Sequence, residues 1–287
     1  MMSNSIFERL RKFSRQYSQL VDNTIQFNNN IKLLTTHEIL KQERYRNPKC
    51  LSSYGYKFYS QNQEDGLIHE IFKRIGTTSK FFIEFGVGDG LENNTLALLF
   101  EGWHGLWIEG NKESFDKIIS GFKKVIDADA LRVINAHINI QNIDSIISSN
   151  MEENEIDLIS IDIDGNDYHI FMAILSINPR VIVMEYNSKF PPHISFCTTY
   201  NAGHRWDGSD NYGSSLKFLE QHLTEKHYSL VGCDISGSNA FFVRDDLLKD
   251  KFMKPYTSEM HYESFRSSLG LNTSGHRASY DTLSQLF

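Results

Sequence analysis

Residues Glu84-Phe-Gly-Val-Gly-Asp-Gly-Leu-Glu-Asn-Asn-Thr95 join an apolar run, Phe81-Phe82-Ile83, to an apolar helix-like stretch, Leu96 to Phe100. A strand, a glycine turn and a helix in this order bind a nucleotide-like cofactor at the carboxyl end of a parallel strand. Gly86, Gly88 and Gly90 let the backbone turn sharply and approach a ligand closely. A dinucleotide fingerprint would place a third glycine at position 91, but Leu91 stands there, and Asp89 and Glu92 flank the turn. Anions would be repelled. Glu84, ahead of the glycines, suits a cationic ligand instead, such as the amino-acid end and sulfonium of S-adenosylmethionine. Gly86, Gly88, Gly90, Glu84 and Thr95 are therefore expected to form a methyl-donor site. Glu109 ends the next strand, Leu106-Trp107-Ile108-Glu109, where a carboxylate can accept from both ribose hydroxyls of an adenosine. Asn135, at the end of the third strand, offers an amide to the adenine edge.

The fourth strand carries the densest charge: Ile159-Ser160-Ile161-Asp162-Ile163-Asp164-Gly165-Asn166-Asp167. Period-2 alternation sends Asp162 and Asp164 to one side. Three carboxylates at one strand end are costly without a cation or hydrogen-bond donors. Asp162 is assigned to the cofactor. Asp164, with Glu185 and Asn187 from the fifth strand, would offer hard oxygen ligands to Mg²⁺ or Mn²⁺. A bound ion would acidify a substrate hydroxyl. Metal-free contact with substrate or cofactor, and capping of the helix near Tyr168, stand as alternatives. Asp167, His169 and His193 are the candidate general bases, and the catalytic set is Asp164, Asp167 and His193. Tyr200, His204, Trp206 and Tyr212 mix aromatic faces with polar groups in the way that sugars are bound.

These residues must be positioned by alternating elements. From Tyr59 onward the expectation is a helix at 64–75, then strand 80–85, helix 94–101 and strand 105–109. Helix 112–123, strand 131–135, helix 143–150, strand 157–162, helix 168–175 and strand 180–186 follow. That alternation implies a parallel sheet with helices on both faces. A helix at 214–224 and runs 228–231 and 240–243 suggest a closing hairpin. Residues 188–213 read as a lid over the substrate. Apolar positions Ile6, Leu10, Phe13, Tyr17 and Leu20, continuing through Thr24 to Phe27, Ile31 and Leu34, form a heptad-type stripe. The N-terminal helix, interrupted at Asn28-Asn29-Asn30, either packs on its own domain or pairs with a second subunit. Arg9, Arg11, Lys12 and Arg15 give it a basic face. The expected division is residues 1–50 as this extension, 51–250 as the cofactor domain and 251–287 as an unassigned tail.

At 287 residues and 40% hydrophobic content the chain has room for a substantial core. A net charge of −7 and a pI near 5.9 argue against nucleic acid as the main partner. Three separated cysteines without metal or disulfide spacing, no apolar leader and no membrane-spanning run suit a cytoplasmic protein.

Four stretches carry a family resemblance: Ser60-Gln-Asn-Gln63-Glu-Asp65-Gly, Phe82 to Gly90, Gly105-Leu-Trp-Ile-Glu-Gly110 and Asp157 to Gly165. In these the chain resembles class I S-adenosylmethionine-dependent methyltransferases, and more closely the FkbM-like proteins found with polysaccharide and natural-product biosynthesis. The resemblance implies a Rossmann-like α/β fold with a seven-stranded methyltransferase sheet, helices on both faces and, here, an N-terminal helical extension. It also implies Gln63 and Asp65 facing the methionine end of the cofactor. Asp164-Gly165-Asn166-Asp167 is similar to the Asp-Gly-Asp-His stretch of metal-dependent macrolide-sugar O-methyltransferases, with Asp167 where their histidine base stands. The expected activity is methyl transfer to a sugar or sugar-nucleotide hydroxyl in glycan biosynthesis. The competing expectations are a non-catalytic scaffold of a biosynthetic complex and an NAD(P)-dependent oxidoreductase.

Overall fold

The structure, a computed structural model, describes residues 2–151, 155–266, 269 and 278–287, with side chains described from residue 8 onward. A long helix α1 (Met2–Leu40) precedes α2 (Glu64–Ile75). Then come β1 (Phe81–Phe85), α3 (Leu96–Leu99), β2 (His104–Glu109), α4 (Lys112–Gly121), α5 (Lys123–Asp127) and β3 (Leu131–Asn135). They are followed by α6 (Ile143–Ser148), β4 (Glu155–Ile161), α7 (Asp167–Met172), β5 (Asn178–Glu185) and α8 (Leu216–Thr224). The chain ends with β6 (Tyr228–Cys233), β7 (Asn239–Arg244), α9 (Asp245–Leu248), α10 (Ser258–His261) and α11 (Tyr280–Leu286).

The sheet has seven strands in the order β3-β2-β1-β4-β5-β7-β6. β1 to β5 are parallel, and β7 inserts antiparallel between β5 and β6. This is the parallel sheet with a closing antiparallel hairpin expected from the alternating pattern, and its seven strands are those the resemblance implies. Its strands are apolar on both faces, as buried parallel strands must be. Phe82, Trp107, Leu158 and Val181 pack into one helix layer, and their neighbours Ile83, Leu106, Ile159 and Ile182 into the other. The chain runs from β1 outward to β2 and β3, then returns to β4 on the other side of β1. The switch point thus lies between β1 and β4, where such folds bind ligands at the strand ends. Phe85 pairs with Ile161, so the glycine turn and the acidic turn leave the sheet side by side.

Local chemistry explains where the elements depart from expectation. The helix expected over 94–101 is shortened to α3 because Asn93 Oδ1 accepts from the Leu96 amide at 2.9 Å, and Glu84 holds the amides of Asn94 and Thr95. The helix expected over 112–123 breaks after Gly121. A Cβ at that glycine would lie 2.1 Å from the Tyr280 ring, which α11 lays against α4.

Two expectations for the N-terminal extension are corrected. α1 runs unbroken through Asn28-Asn29-Asn30 for 39 residues, and it does not pack on its own domain along its length. Residues from Leu10 to Leu34 on the apolar stripe are exposed, and only the last turns join the body, through buried Thr36 and through Ile39 and Leu40 against Tyr45, Cys50, Ile235 and Met253. Ile6 lies outside the residues whose side chains are described. The tail, unassigned from sequence, is partly structural: Phe252, Met253 and Leu283 are buried, and buried Glu263 pairs with Arg44 and Arg266. Tail residues 267–268 and 270–277 lie outside the described residues. No helix among the described residues is long and apolar enough to cross a membrane.

Candidate active site

The glycine turn owes its shape to three specific demands. Gly86 has φ +75°, and a Cβ there would lie 1.8 Å from the Asp162 carbonyl oxygen, so only glycine lets the turns after β1 and β4 meet. Gly88, at φ +57°, would point a Cβ into open space, and its N–H donates to Glu109 Oε2 at 2.9 Å. Gly90 packs beneath Trp107 and Phe122. Glu109, nearly buried, also accepts from the Asn111 amide at 2.6 Å through its other oxygen. Backbone donors therefore fix this carboxylate at the strand end.

Glu84 and Thr95, expected as cofactor contacts, are turned to a different task. Glu84 accepts from the Asn94 amide at 2.8 Å and from the Thr95 amide and hydroxyl at 3.2 and 2.5 Å, and Thr95 Oγ1 accepts from Trp107 Nε1 at 2.8 Å. The chain of bonds is buried and braces the loop from within. Burial pushes the Glu84 carboxyl up to about 7, despite the opposing hydrogen bonds from Thr95 and Asn94. Asn135 likewise donates Nδ2 to the Glu109 carbonyl at 2.8 Å and pins β3 to β2. Gln63 is buried with its Oε1 over Gly55. Asp65 accepts from the Phe58, Tyr59 and Ser60 amides at 2.6–2.9 Å, gathering the preceding loop.

The acids after β4 and β5 do converge. Carboxylate oxygens of Asp162, Asp164 and Glu185 lie within 4.8 Å of one another. Asp164 sits in the left-handed region at φ +58°, followed by Gly165 at φ +147°, an uncommon backbone for a non-glycine residue. Glu185 Oε2 is buried with no hydrogen-bond partner. Burial, then the neighbouring charges of Asp167, Asp164 and Glu84, pushes the Asp162 carboxyl up to about 8. Burial and then Asp162 hold Glu185 well above the usual carboxylate range. Tyr212, in the 188–213 loop, faces the same group: burial and then Glu185 push its hydroxyl up to about 12. Three close carboxylates, one with an orphaned buried oxygen, form the hard-oxygen donor set that a divalent cation satisfies.

The membership of this group differs from expectation. Asp162 takes the place foreseen for Asn187, whose Nδ2 donates to the Asp210 and Tyr212 carbonyls at 2.9 and 3.0 Å and tethers the 188–213 loop. Asp167 is buried and accepts from the Ile163 and Gly165 amides at 3.0 and 2.9 Å, so it builds the acidic turn instead of standing free as a base. His193 is exposed on the surface of the 188–213 loop. His169 bonds the Thr198 carbonyl at 2.8 Å and anchors that loop, with Tyr200 edge-on to its ring. Asn166 donates Nδ2 to the Asn201 carbonyl at 2.8 Å and accepts from the Asn201 amide through Oδ1 at 3.3 Å, which clamps the 188–213 loop onto the acidic turn. That clamp brings His204 over Gly165, its Nε2 buried and unpartnered. Trp206 is exposed beside Tyr212, with ring centroids 5.7 Å apart.

Two buried carboxylates escaped the sequence reading. Glu64 accepts from Asn62 and Asn239, and Asp234 accepts from the Ser238 and Asn239 amides at 2.9 and 2.6 Å. Burial and then Glu64 push Asp234 up to about 7. The only sequence signal was an acid ending an otherwise apolar strand, Leu230-Val231-Gly232-Cys233-Asp234.

The chain is similar to several known proteins. Residues 107–230 match the family profile described as the methyltransferase FkbM domain. Among solved structures, the MTase domain of METTL16 is similar at 11% identity and TM-score 0.39, over 62% of this chain and 64% of that one. The chain thus spans less than two thirds of that domain. An O-methyltransferase from Bacillus cereus in complex with SAH is similar at 14% identity and TM-score 0.41, over 75% and 88% of the two chains. TrmK from M. capricolum, bound to S-adenosyl-homocysteine, is similar at 12% identity and TM-score 0.38, over 69% and 74%. Among curated proteins no sequence matches. The family profile covers less than half of the chain and takes in Glu109 and the acids after β4 and β5, while the glycine turn precedes it.

Proposed function

Proceeding from the FkbM methyltransferase match across residues 107–230, we propose that this protein is an S-adenosylmethionine-dependent O-methyltransferase acting on a hydroxyl of a sugar or sugar nucleotide, in polysaccharide or glycan biosynthesis in the cytoplasm. The observation that carries the reading is the cluster of Asp162, Asp164 and Glu185 at the switch point, beside the glycine turn and Glu109. An acidic cleft favours a cationic methyl donor over a pyrophosphate. Glu109 is held ready for ribose hydroxyls, and the open side of Gly88 allows the backbone to approach the ligand.

A neutral hydroxyl is a poor nucleophile until its proton is taken or its pKa lowered. A Mg²⁺ or Mn²⁺ ion held by Asp162, Asp164 and Glu185 would supply that acidification. The chain's own residues do the rest. Asp167 fixes the turn that presents Asp164, and the lid, clamped by Asn166 and Asn187, carries Tyr212 and His204 over the acids and so excludes water. With Asp167 engaged by amides and Glu185 among the oxygens that would hold the ion, His204 Nε2, unpartnered over Gly165, takes the departing proton. The exposed face of Trp206 supports a sugar acceptor, since flat aromatic faces stack on sugar rings.

Ligand-induced stabilisation tests the cofactor assignment. S-adenosylhomocysteine at a hundred times its Kd is expected to stabilise the protein by about 2.7 kcal/mol. Glu109→Ala should remove most of that gain, because the ribose loses its acceptor and the Gly88 amide its partner. Stabilisation by NADH instead would support an oxidoreductase, and stabilisation by neither would support a scaffold. Equal S-adenosylhomocysteine shifts in parent and Glu109→Ala would show that the site is elsewhere.

A further inference from the structure

Among the described residues, nothing of its own chain covers the apolar stripe of α1. Leu10, Phe13, Tyr17, Leu20, Phe27, Ile31 and Leu34 recur at heptad steps, and their exposures run from 44% to 67%. An apolar strip of this length is uncommon on a lone soluble protein and marks a contact surface. The helix of 39 residues is about 58 Å long, and only its last turns touch the body.

We propose that α1 pairs antiparallel with α1 of a second copy of this chain, with Leu10 facing Leu34, Phe13 facing Ile31, Tyr17 facing Phe27 and Leu20 facing Thr24. Four observations select this occupant. First, the stripe is centred on residue 22, so reversing a second copy brings every apolar residue but Leu20, which meets Thr24, onto another apolar one; this self-complementarity is what a two-fold contact requires. Second, the positions flanking the stripe in its central span, Ser14, Gln16, Val21, Asn23, Asn28 and Asn30, are uncharged, so two identical seams meet without like-charge repulsion. Third, Arg9, Arg11, Lys12 and Arg15 all lie near one end of the helix. A parallel pair would set two such clusters side by side. The antiparallel pair separates them by about 30 Å, well beyond the ~8 Å over which salt screens charge.

Fourth, the area is sufficient. At roughly 150–250 Å² for a fully buried aromatic side chain, the exposed parts of Phe13, Tyr17 and Phe27 supply on the order of 300–500 Å². The four aliphatic residues bring each copy towards the ~800 Å² of a standard stable interface. Thr24 opposite Leu20 leaves two imperfect, symmetry-related layers at the centre, which disfavours slipped registers. The pairing does not depend on the methyl-transfer reading, since α1 lies outside the sheet and its strand ends.

Sedimentation of the full chain between about 1 and 50 µM should show a dimer. Leu20→Glu, at an exposed position, should leave the unfolding temperature and S-adenosylhomocysteine response unchanged while raising the dimer dissociation constant about a hundredfold or more. Orientation is read by oxidation, with the parent chain as reference. Tyr17→Cys mixed with Phe27→Cys should cross-link as a heterodimer, and neither variant alone should self-link efficiently, because a disulfide needs Cα atoms within about 7 Å. A parent protein monomeric at 50 µM, a dimer indifferent to Leu20→Glu, or efficient self-linking by Tyr17→Cys would each overturn the proposal. So would a monomer that binds only phosphatidylserine vesicles, which would assign the stripe and its basic end to a membrane surface.

Discussion

Asp164→Asn is expected to lower methyl transfer by roughly two or more orders of magnitude, the scale on which acid–base or metal assistance acts, while S-adenosylhomocysteine binding changes little. The substitution is unusually clean. Asp164 occupies the left-handed region at φ +58°, and asparagine tolerates that region better than any other charge-free replacement except glycine. The turn should therefore survive, with Asp167 still accepting from the Ile163 and Gly165 amides. What is lost is one negative oxygen from the set shared with Asp162 and Glu185. Glu185→Gln should give a loss of similar size, because its orphaned Oε2 is the other oxygen that a cation or a departing proton would occupy. Chelation divides the two uses of the cluster. Activity abolished by EDTA and restored by Mg²⁺ or Mn²⁺ identifies a metal site; full activity in EDTA leaves Glu185 and His204 as proton acceptors. Parental turnover in both Asp164→Asn and Glu185→Gln would reduce the cluster to a structural feature and end the proposal.

How much of this was legible in the sequence differs from element to element, for physical reasons. Strand positions were readable because apolar runs bounded by glycines and acids leave few alternatives, and β3 falls on the expected 131–135. The sheet order follows from alternation and right-handed crossovers. The glycine turn, Glu109 and the acids after β4 and β5 announced themselves because polar residues ending buried strands need a reason. Partners were not legible. Nothing in the one-dimensional pattern says that Glu84 bends inward to Thr95 and Trp107, or that Asn187 holds the carbonyls of Asp210 and Tyr212. Those bonds join residues brought together only when the loops settle. For the same reason Glu64 and Asp234, 170 positions apart, could not be seen as neighbours from their local sequence. The stripe on α1 was visible at once, whereas its exposure was not, since periodicity specifies a face and leaves open what covers it.

The apo protein is expected to lose stability as pH rises from 6.5 to 8.5, the reverse of what an acidic protein with well-paired surface carboxylates would show. Burial raises Glu84 to about 7, Asp162 to about 8 and Asp234 to about 7, and none of the three forms an ion pair among the described residues. Each folded-state value exceeds its unfolded value near 4, so between pH 4 and 8 the folded state binds more protons than the unfolded one. Stability then falls with rising pH, by about 1.4 kcal/mol per pH unit for each proton of difference. Below pH 6.5 the trend is opposed by buried His261, pushed down to about 4 by burial and then by Arg44, because there the unfolded state takes up its proton. Above 6.5 that opposition is gone and the acids act alone. A loss of a few kcal/mol by pH 8.5 would lower the Tm by roughly 5–10 °C for a chain of this size. Asp162→Asn should flatten the slope and raise the Tm at pH 8.5 above the parent's while impairing turnover, the usual exchange of stability for a charged site. A bound divalent cation should stabilise more at pH 8.5 than at 6.5, since protons no longer compete for the same oxygens. A Tm that is flat or rising across this interval would mean that the carboxylates are ionised and compensated in the folded protein, and the reading of the cleft as an uncompensated acidic cluster would fall with it.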